Sequence, residues 1–335
     1  MMRQPKLTIL VTNPAIFASV FLLLLCLAVG LIEPKFWTPL NIFDIFRNYA
    51  AWGIFAVGQT VIMICGGIDV SFTAIATVSM YVIGLFFINQ IIKSVTYALF
   101  LAGGIGAVLG IINGICIWAC KVHPVIVTIA TLNIYYNLLI YFTKGRWLYN
   151  LPKNYLDFGL SRVFTIMWSG QPTGLSILTL FWMGLAFCTW LWLRYTGFGR
   201  KLYAVGGNFE AARRAGLNIL SIQLFGYMYA GLLAGIGGFI YGGAAQFIQP
   251  NALVGRELDV IAAAILGGAS IFGGRGSALG SVLGTLLFAV VRNALILLKI
   301  PSYWHSAAVG GIILGATLLA AYQAQAFQKS GISRR

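Results

Sequence analysis

Long runs of apolar residues without charge recur along the whole chain and determine the solvent in which it folds. The hydrocarbon layer of a bilayer takes about 20 apolar residues per helix. The chain is 60% hydrophobic and only 9% charged, which excludes an ordinary water-soluble domain. Apolar runs lie at 14–32, 49–66, 72–90, 95–118, 124–142, 175–193, 221–243, 253–271, 279–298 and 304–322. The sequence therefore predicts an all-α, polytopic integral membrane protein with about ten transmembrane helices, some short or discontinuous.

Basic residues in the predicted loops indicate the orientation, because Lys and Arg are retained on the cytoplasmic side. With the N-terminus inside, twelve of these residues fall on the inner side and eight on the outer side. We therefore expect both termini in the cytoplasm. Topology then explains much of the formal net charge of +15, and no basic segment indicates a nucleic-acid partner.

The chain is treated as a single transmembrane domain, 1–335. Two segments between the predicted spans are long enough to have structure of their own: 143–174, expected outside, and 194–220, expected in the cytoplasm. A cytoplasmic tail is predicted at 323–335. The outer segment is rich in Trp and Tyr, which suits the membrane interface.

The segment 194–220 predicts a short amphipathic helix. Asn208 can cap its start, Glu210 lies in the first turn, Arg213 and Arg214 follow, and Gly216 can end it. Such a helix cannot bury much surface by itself. It is either a docking element for a cytoplasmic partner or a solvated surface helix.

The stretch "CGGIDVSF" places a carboxylate, Asp69, between two apolar runs. A charged side chain inside a membrane costs about 2.5–3.5 kcal/mol on insertion scales, so such acids usually face a cavity or a partner. Asp69 and Ser71 therefore border a pathway or gate, or Asp69 is the N-cap of the span that begins near Phe72. The two interpretations are compatible.

Catalytic and metal-binding patterns are not evident. The chain has seven acids and two histidines, and no acidic pair among them matches a metal-diphosphate or zinc signature. Cys116, Cys120 and His123 lack a fourth ligand. No G-x-x-x-x-G-K-[ST] phosphate loop occurs. We therefore predict no catalytic residue, no metal and no cofactor on this chain.

An internal repeat is weakly indicated. The stretches "GGIGAVLGIINGICI" (103–117) and "GRGSALGSVLGTLLFAV" (274–290) share a G-x-V-L-G pattern. Transporters often contain such halves, with discontinuous helices near the midplane.

Three motifs carry a family resemblance: "GGIDVS" (66–71), "GFGRKLYAVGGNFEAARRAGLNI" (197–219) and "ELDVIAAAILGGASIFGGRGSALGSVLGTLL" (257–287). They resemble the permease subunits of bacterial ATP-binding-cassette importers for simple sugars, a group that includes ribose, xylose, galactose and autoinducer-2 permeases. The resemblance extends from about residue 36 to residue 320. It implies a multi-pass protein of the bacterial inner membrane that forms the pathway for a simple sugar.

The resemblance also implies partners. Two permease subunits, identical or different, would form the pathway; cytoplasmic ATPase subunits would bind ATP and Mg²⁺; and a periplasmic or lipid-anchored binding protein would deliver the cargo. Membrane lipid surrounds the assembly. By position, the residues that match the ATPase-coupling element are Gly207, Asn208, Glu210, Ala211, Ala212 and Gly216.

Autoinducer-2 is an alternative cargo, because "LILLKIPSYWHS" (295–306) and "GRW" (145–147) look like that subgroup. A passive channel for small solutes and an integral-membrane enzyme are more distant alternatives.

Further polar residues within the apolar runs are candidates for the pathway. Glu257 and Asp259, beside Arg256, either form an ion-pair cluster at a helix end or line the route. Arg292 lies inside a predicted span and needs an acidic partner, for which Glu257 and Asp259 are the available choices. Asn113 either binds a polyol or holds helices together.

Overall fold

The structure is a computed structural model that describes residues 14–301, 303–305, 307–308, 310–311 and 314–315. The predicted span at 304–322 lies largely outside these residues, and the predicted tail at 323–335 lies entirely outside them.

Helices dominate the described residues, which confirms the all-α fold class. Their bounds are α1 Pro14–Ile32, α2 Pro39–Ile64, α3 Phe72–Ile88, α4 Val95–Cys120, α5 Pro124–Thr143, α6 Lys153–Leu160, α7 Ile177–Tyr195, α8 Gly197–Gly207, α9 Phe209–Arg214, α10 Ile219–Ala245, α11 Glu257–Leu266 and α12 Ala278–Leu297. A 3₁₀ turn, Pro34–Trp37, precedes α2. The sequence did not predict the small antiparallel hairpin of β1, Ile166–Trp168, and β2, Gln171–Thr173.

Among the described residues, five helices are long and apolar enough to cross a membrane: α4, α5, α7, α10 and α12. Shorter apolar helical stretches are Ala18–Ile32 and Phe72–Ile88. The chain is therefore a polytopic membrane protein, although these helices do not establish a count of ten.

Two predicted spans have different bounds in the structure. The span predicted at 49–66 begins ten residues earlier, because the Thr38 hydroxyl accepts from the Asn41 N–H and Pro39 occupies the first turn. The span predicted at 253–271 contains only α11, a helix of 10 residues. Its length of about 15 Å is half the thickness of the hydrocarbon layer.

Helix α10 lies at the centre and packs against α2, α3 and α4. Its contact with α4 is made by glycines: a β-carbon on Gly106 or Gly110 would strike the α10 backbone, and one on Gly231 or Gly235 would strike the α4 backbone. Small residues spaced four apart let membrane helices approach this closely.

The two ends of α10 lie among different sets of connecting segments. Beyond its C-terminal end, Ile248 pairs with Leu148, and the Gln246 side chain donates to the Leu156 carbonyl (3.1 Å). Its N-terminal end follows α8 and α9. Because α10 has 27 residues and is about 40 Å long, segment 143–174 and helices α8 and α9 lie at opposite ends of the molecule.

Candidate functional site

Three interruptions of the helical structure meet at one place. They are the turn between α2 and α3 (65–71), the boundary between α8 and α9 (206–208), and the connection between α11 and α12 (267–277). The Gly274 N–H donates to the Ile64 carbonyl across 3.0 Å. Each interruption belongs to a different one of the three sequence motifs.

Four glycines, Gly66, Gly206, Gly273 and Gly274, form this contact, which we call the glycine junction. A β-carbon on Gly206 would strike the Ile64 carbonyl, and one on Gly273 would come within 2.9 Å of the Gly66 α-carbon. Gly66 and Gly273 both have φ of +89°, a conformation that favours glycine. The three segments therefore touch backbone to backbone, with no side chain between them.

A tyrosine adds a further bond beside the junction. The Tyr203 hydroxyl on α8 donates to the Gly276 carbonyl across 2.8 Å. Burial raises the pKa of this hydroxyl above its usual range, so it stays protonated and remains a donor. The bond ties α8 to the connection that leads into α12.

Helix α9 forms as the sequence predicts. The Asn208 side chain accepts from the Ala211 N–H (2.9 Å), and Gly216 adopts φ of +79° as its N–H donates to the Arg213 carbonyl (3.0 Å). Glu210 pairs with Arg213 across 3.1 Å, and both side chains are more than half exposed.

The six predicted coupling residues divide between an exposed face and one anchor. Ala212 is buried in an apolar cluster that includes Ile64 and Leu202. The others lie at the surface: Gly207, Asn208, Glu210, Ala211 and Gly216. The arrangement exposes a polar face at a position fixed to the membrane helices.

Asp69 belongs to a buried hydrogen-bond chain that joins three helices. Its Oδ1 accepts from the Ser71 N–H (2.7 Å) and the Ser71 hydroxyl (2.6 Å). The Asn113 side chain on α4 donates to the Ser71 oxygen (2.7 Å) and accepts from the Tyr135 hydroxyl on α5 (3.0 Å). Asp69, Ser71 and Asn113 are all buried. The structure thus brings these three candidates together.

The backbone of Asp69 is also held. The side-chain amide of Gln59, oriented to satisfy both groups, donates to the Asp69 carbonyl (2.9 Å) and accepts from its N–H (3.3 Å). The N-cap interpretation of Asp69 needs a correction: Ser71 occupies the N-cap position of α3, and Asp69 forms the side-chain turn immediately before it.

The remaining candidates lie around the start of α11. Glu257 accepts from the Thr73 hydroxyl (2.6 Å) and the Gly255 N–H (2.9 Å), which fastens this start to α3. Asp259 instead pairs with Arg292 on α12, across 2.5 Å. Glu257 and Asp259 therefore have different partners, although they are only two residues apart in the sequence. Among the described residues, no hydrogen bond connects the Asp259–Arg292 pair to the chain that contains Asp69.

Comparison with known proteins identifies the family. A family model described as a branched-chain amino acid transport system, permease component, matches residues 41–321, most of the chain. The chain belongs to this permease family. The sequence resemblance is thereby confirmed, and the protein is a multi-pass inner-membrane permease and a transport component rather than a catalytic one.

Individual relatives of this permease are import proteins. The ribose import permease of Bacillus subtilis is 36% identical over 301 residues, which are 89% of this chain and 90% of the relative. The autoinducer 2 import system permease of Yersinia pseudotuberculosis is 30% identical over 89% of this chain and 82% of its own. No solved structure matches the permease significantly.

Several structurally important residues of the permease were not predicted. Tyr135, Thr128 and Tyr203 hold the interruptions in place through hydroxyl groups. Their only sequence signal is a hydroxyl within or beside an apolar run, which most buried tyrosines and threonines share.

Replacing Ser71 tests the buried chain. The change Ser71→Ala removes the hydroxyl that links Asp69 to Asn113 and leaves both groups short of a partner. We expect the free energy of unfolding to fall by about 1–3 kcal/mol. Thermal unfolding of the purified permease in one detergent measures the change.

The matched control is Ser79→Ala, on the same helix. The Ser79 hydroxyl is buried but has no hydrogen-bond partner among the described residues, so its removal should leave the unfolding temperature unchanged. Equal destabilisation by the two substitutions would contradict the importance of the chain.

Adding a methyl group tests the glycine junction. In Gly206→Ala the new carbon meets the Ile64 carbonyl and lies 2.8 Å from the Gly274 nitrogen. We expect this overpacking to reduce the free energy of unfolding by about 1–3 kcal/mol. In the control, Gly207→Ala, the nearest atom is the Gly274 α-carbon at 4.0 Å, so stability should be retained. If the Gly206→Ala protein is as stable as the parent in thermal unfolding, the backbone of Gly206 is not in contact with Ile64 and Gly274.

Proposed function

We propose that this chain is the transmembrane permease subunit of an ATP-binding-cassette importer and forms the pathway for a simple sugar across the bacterial inner membrane. The observation that carries the proposal is the glycine junction. It joins the end of α8, immediately before the polar, exposed helix α9, to the interruptions between α2 and α3 and between α11 and α12.

Energy comes from separate subunits in this proposal. The sequence has no phosphate loop, so ATP and Mg²⁺ bind to cytoplasmic ATPase subunits that dock on the exposed face of α9. A second permease subunit, identical or different, completes the pathway, and an external binding protein delivers the cargo. Segment 194–220 is then cytoplasmic, and segment 143–174 is external.

The orientation follows from charge. Arg200, Lys201, Arg213 and Arg214 all lie on α8 and α9, at the end of the molecule opposite segment 143–174. Segment 143–174 also carries four basic residues, so the orientation rests on the whole set of loops, in which twelve basic residues fall on the side of α8 and α9 and eight on the other side. Basic residues are retained in the cytoplasm, which supports a cytoplasmic position for this end and for both termini.

The junction explains how movement at α9 reaches the pathway. Closure of the ATPase subunits displaces α9, and Ala212 and Gly206 move with it. Side chains that change rotamer could absorb a small displacement, but backbone atoms in contact cannot. The displacement therefore passes to the turn that carries Asp69 and to the connection before α12, and the helices that follow shift between outward-open and inward-open arrangements.

The cargo is inferred from chemistry and relatives together. Few charges lie within the membrane helices, which suits a neutral polyhydroxylated molecule. A relative named for ribose import is 36% identical to this chain over 89% of its length. Autoinducer-2 is the second candidate, because relatives named for its import are 30% identical over the same share of the chain.

Reversing the charge of Glu210 tests the docking role. Glu210 and Arg213 form an exposed pair, which contributes at most about 1 kcal/mol to stability. In Glu210→Arg we therefore expect normal folding and insertion but uptake of D-ribose or autoinducer-2 reduced about tenfold or more, the rate equivalent of about 1.4 kcal/mol of lost coupling. Uptake by cells that produce equal amounts of each permease measures the effect.

The control is Asp157→Arg, which reverses an exposed acid on α6, within the segment placed outside. Its uptake should equal that of the parent. Undiminished uptake in the Glu210→Arg protein would refute the docking role of α9.

A further inference from the structure

A cleft of about 380 Å³ opens between the C-terminal end of α7, the start of α8 and the connection that leads into α12. Its volume is in the range of sites that bind small molecules. The polar and aromatic residues of its lining are Trp190, Arg194, Arg200, Tyr203 and Ser277. We call it the basic cleft. None of the four junction glycines lines it, although the bond between Tyr203 and Gly276 places it beside the glycine junction.

Two arginines give the basic cleft a positive charge that the protein does not neutralise. Among the described residues, no salt bridge involves Arg194 or Arg200, and both side chains are exposed. No acid lines the cleft. The acid nearest to these arginines along the chain, Glu210, pairs with Arg213 instead. The cleft therefore favours an anion over a neutral molecule or a cation.

The starts of two helices add to this positive potential. The N-terminal end of a helix carries about half a positive elementary charge, and neither α8 nor α12 has an acid in its first turn. Arg200 is the fourth residue of α8, a position where a basic side chain is unfavourable unless an anion compensates it. Ser277 occupies the N-cap position of α12 but makes no capping bond, so its hydroxyl can donate to a ligand.

The donors of the basic cleft suit a phosphate group. The guanidinium of Arg194 lies 5.5 Å from the centre of the Trp190 ring system, and this contact restricts where the guanidinium lies. Arginine binds phosphate oxygens through two parallel N–H bonds. Arg194, Arg200 and Ser277 together require several acceptor oxygens, which a phosphate supplies and a single carboxylate does not.

An exposed apolar stripe on α7 leads to the basic cleft. Leu180, Phe187 and Leu191 are exposed, and their spacing places them on the same face of the helix as Arg194. Helix α7 is long and apolar enough to cross the membrane, so this stripe faces lipid tails. Arg194 follows Leu191 by one turn and ends the stripe, as Trp190 does, where lipid headgroups begin. A phospholipid can therefore lie along α7 with its phosphate in the cleft.

We propose that the basic cleft binds the headgroup of an anionic phospholipid, whose phosphate contacts Arg194, Arg200 and Ser277. A headgroup with an ammonium group would find no acid in the cleft, so a lipid with a net negative charge is favoured. Basic pockets between membrane helices bind anionic headgroups in this way. The bound headgroup contacts α7, α8 and the start of α12 together and stabilises their arrangement beside the Tyr203–Gly276 bond.

Lipid binding to the whole permease tests the site. The purified permease in a neutral detergent is titrated with phosphatidylglycerol or phosphatidylcholine, and native mass spectrometry measures the bound lipid. We expect phosphatidylglycerol to bind at least about fivefold more tightly, since it lacks the positive group of phosphatidylcholine. Equal affinity for the two lipids would overturn the proposal.

Two substitutions locate the binding. Arg194→Gln and Arg200→Gln each remove one charge from the cleft, and because both side chains are exposed, the proteins should fold as the parent does. We expect each protein to bind phosphatidylglycerol about fivefold more weakly, the equivalent of about 1 kcal/mol for one basic residue near a headgroup. Unchanged affinity in both proteins would overturn the proposal.

The matched control is Lys201→Gln. It removes the same charge from the next residue of α8, which is also exposed but does not line the cleft. Its affinity for phosphatidylglycerol should equal that of the parent. An equal loss in Lys201→Gln would show that the overall charge of α8 attracts the lipid, and would overturn a site in the cleft.

Two further measurements distinguish the lipid from other occupants. Glycerol 3-phosphate carries a phosphate without acyl chains, and we expect it not to displace phosphatidylglycerol at equal concentration. If it does, the cleft is a site for a soluble phosphate ester, and the lipid is overturned. If the lipid is lost when the ATPase subunits assemble with the permease, the cleft is a surface for that partner, and the lipid is again overturned.

Discussion

The need to satisfy backbone polar groups wherever the protein excludes water constrains this structure strongly, within the membrane and at its cytoplasmic end alike. A helix satisfies its own groups, but each interruption of a helix leaves N–H and C=O groups that need partners from other segments. Here α2 supplies the partners: the Gly274 N–H donates to the Ile64 carbonyl at the end of α2, and the Gln59 side chain on α2 binds both backbone groups of Asp69. Glycines allow the contact because a β-carbon at Gly206 or Gly273 has no room. The three segments must therefore move together or break their bonds.

The candidate residues differ in burial and in partners, and therefore have different roles. The exposed face of α9 is available to a cytoplasmic partner, while Ala212 fixes that face to the core. Asp69 is buried in a hydrogen-bond chain and cannot contact a cargo directly. Its side chain instead accepts from the Ser71 N–H and stabilises the turn before α3. Asp259 and Arg292 pair with each other between α11 and α12, and both side chains remain partly exposed.

Much of the fold could be predicted, because apolar runs and caps are local signals. The predicted span 95–118 differs from α4 by two residues at one end, and the Asn208 cap of α9 was read from the sequence directly.

The early start of α2 was missed because Asn41, Asp44 and Arg47 interrupt the apolar pattern of its first turns. The eighth span was predicted too long because α11 is continued by an apolar, glycine-rich connection, whose path depends on contacts with Gly66 and Gly206 that the sequence pattern does not show. The choice of Asp259 over Glu257 as the partner of Arg292 likewise depended on Thr73, which binds Glu257 from another helix.

The central claim is that the glycine junction transmits movement from α9 to the membrane helices. Hydrogen–deuterium exchange, measured by mass spectrometry on the complete transporter with and without vanadate-trapped ATPase subunits, tests it most directly. The account predicts that exchange changes together in peptides that cover 197–216, 64–72 and 270–277, since the Gly274 amide is bonded to Ile64. A change confined to 197–216, with the other two segments unaltered, would contradict it.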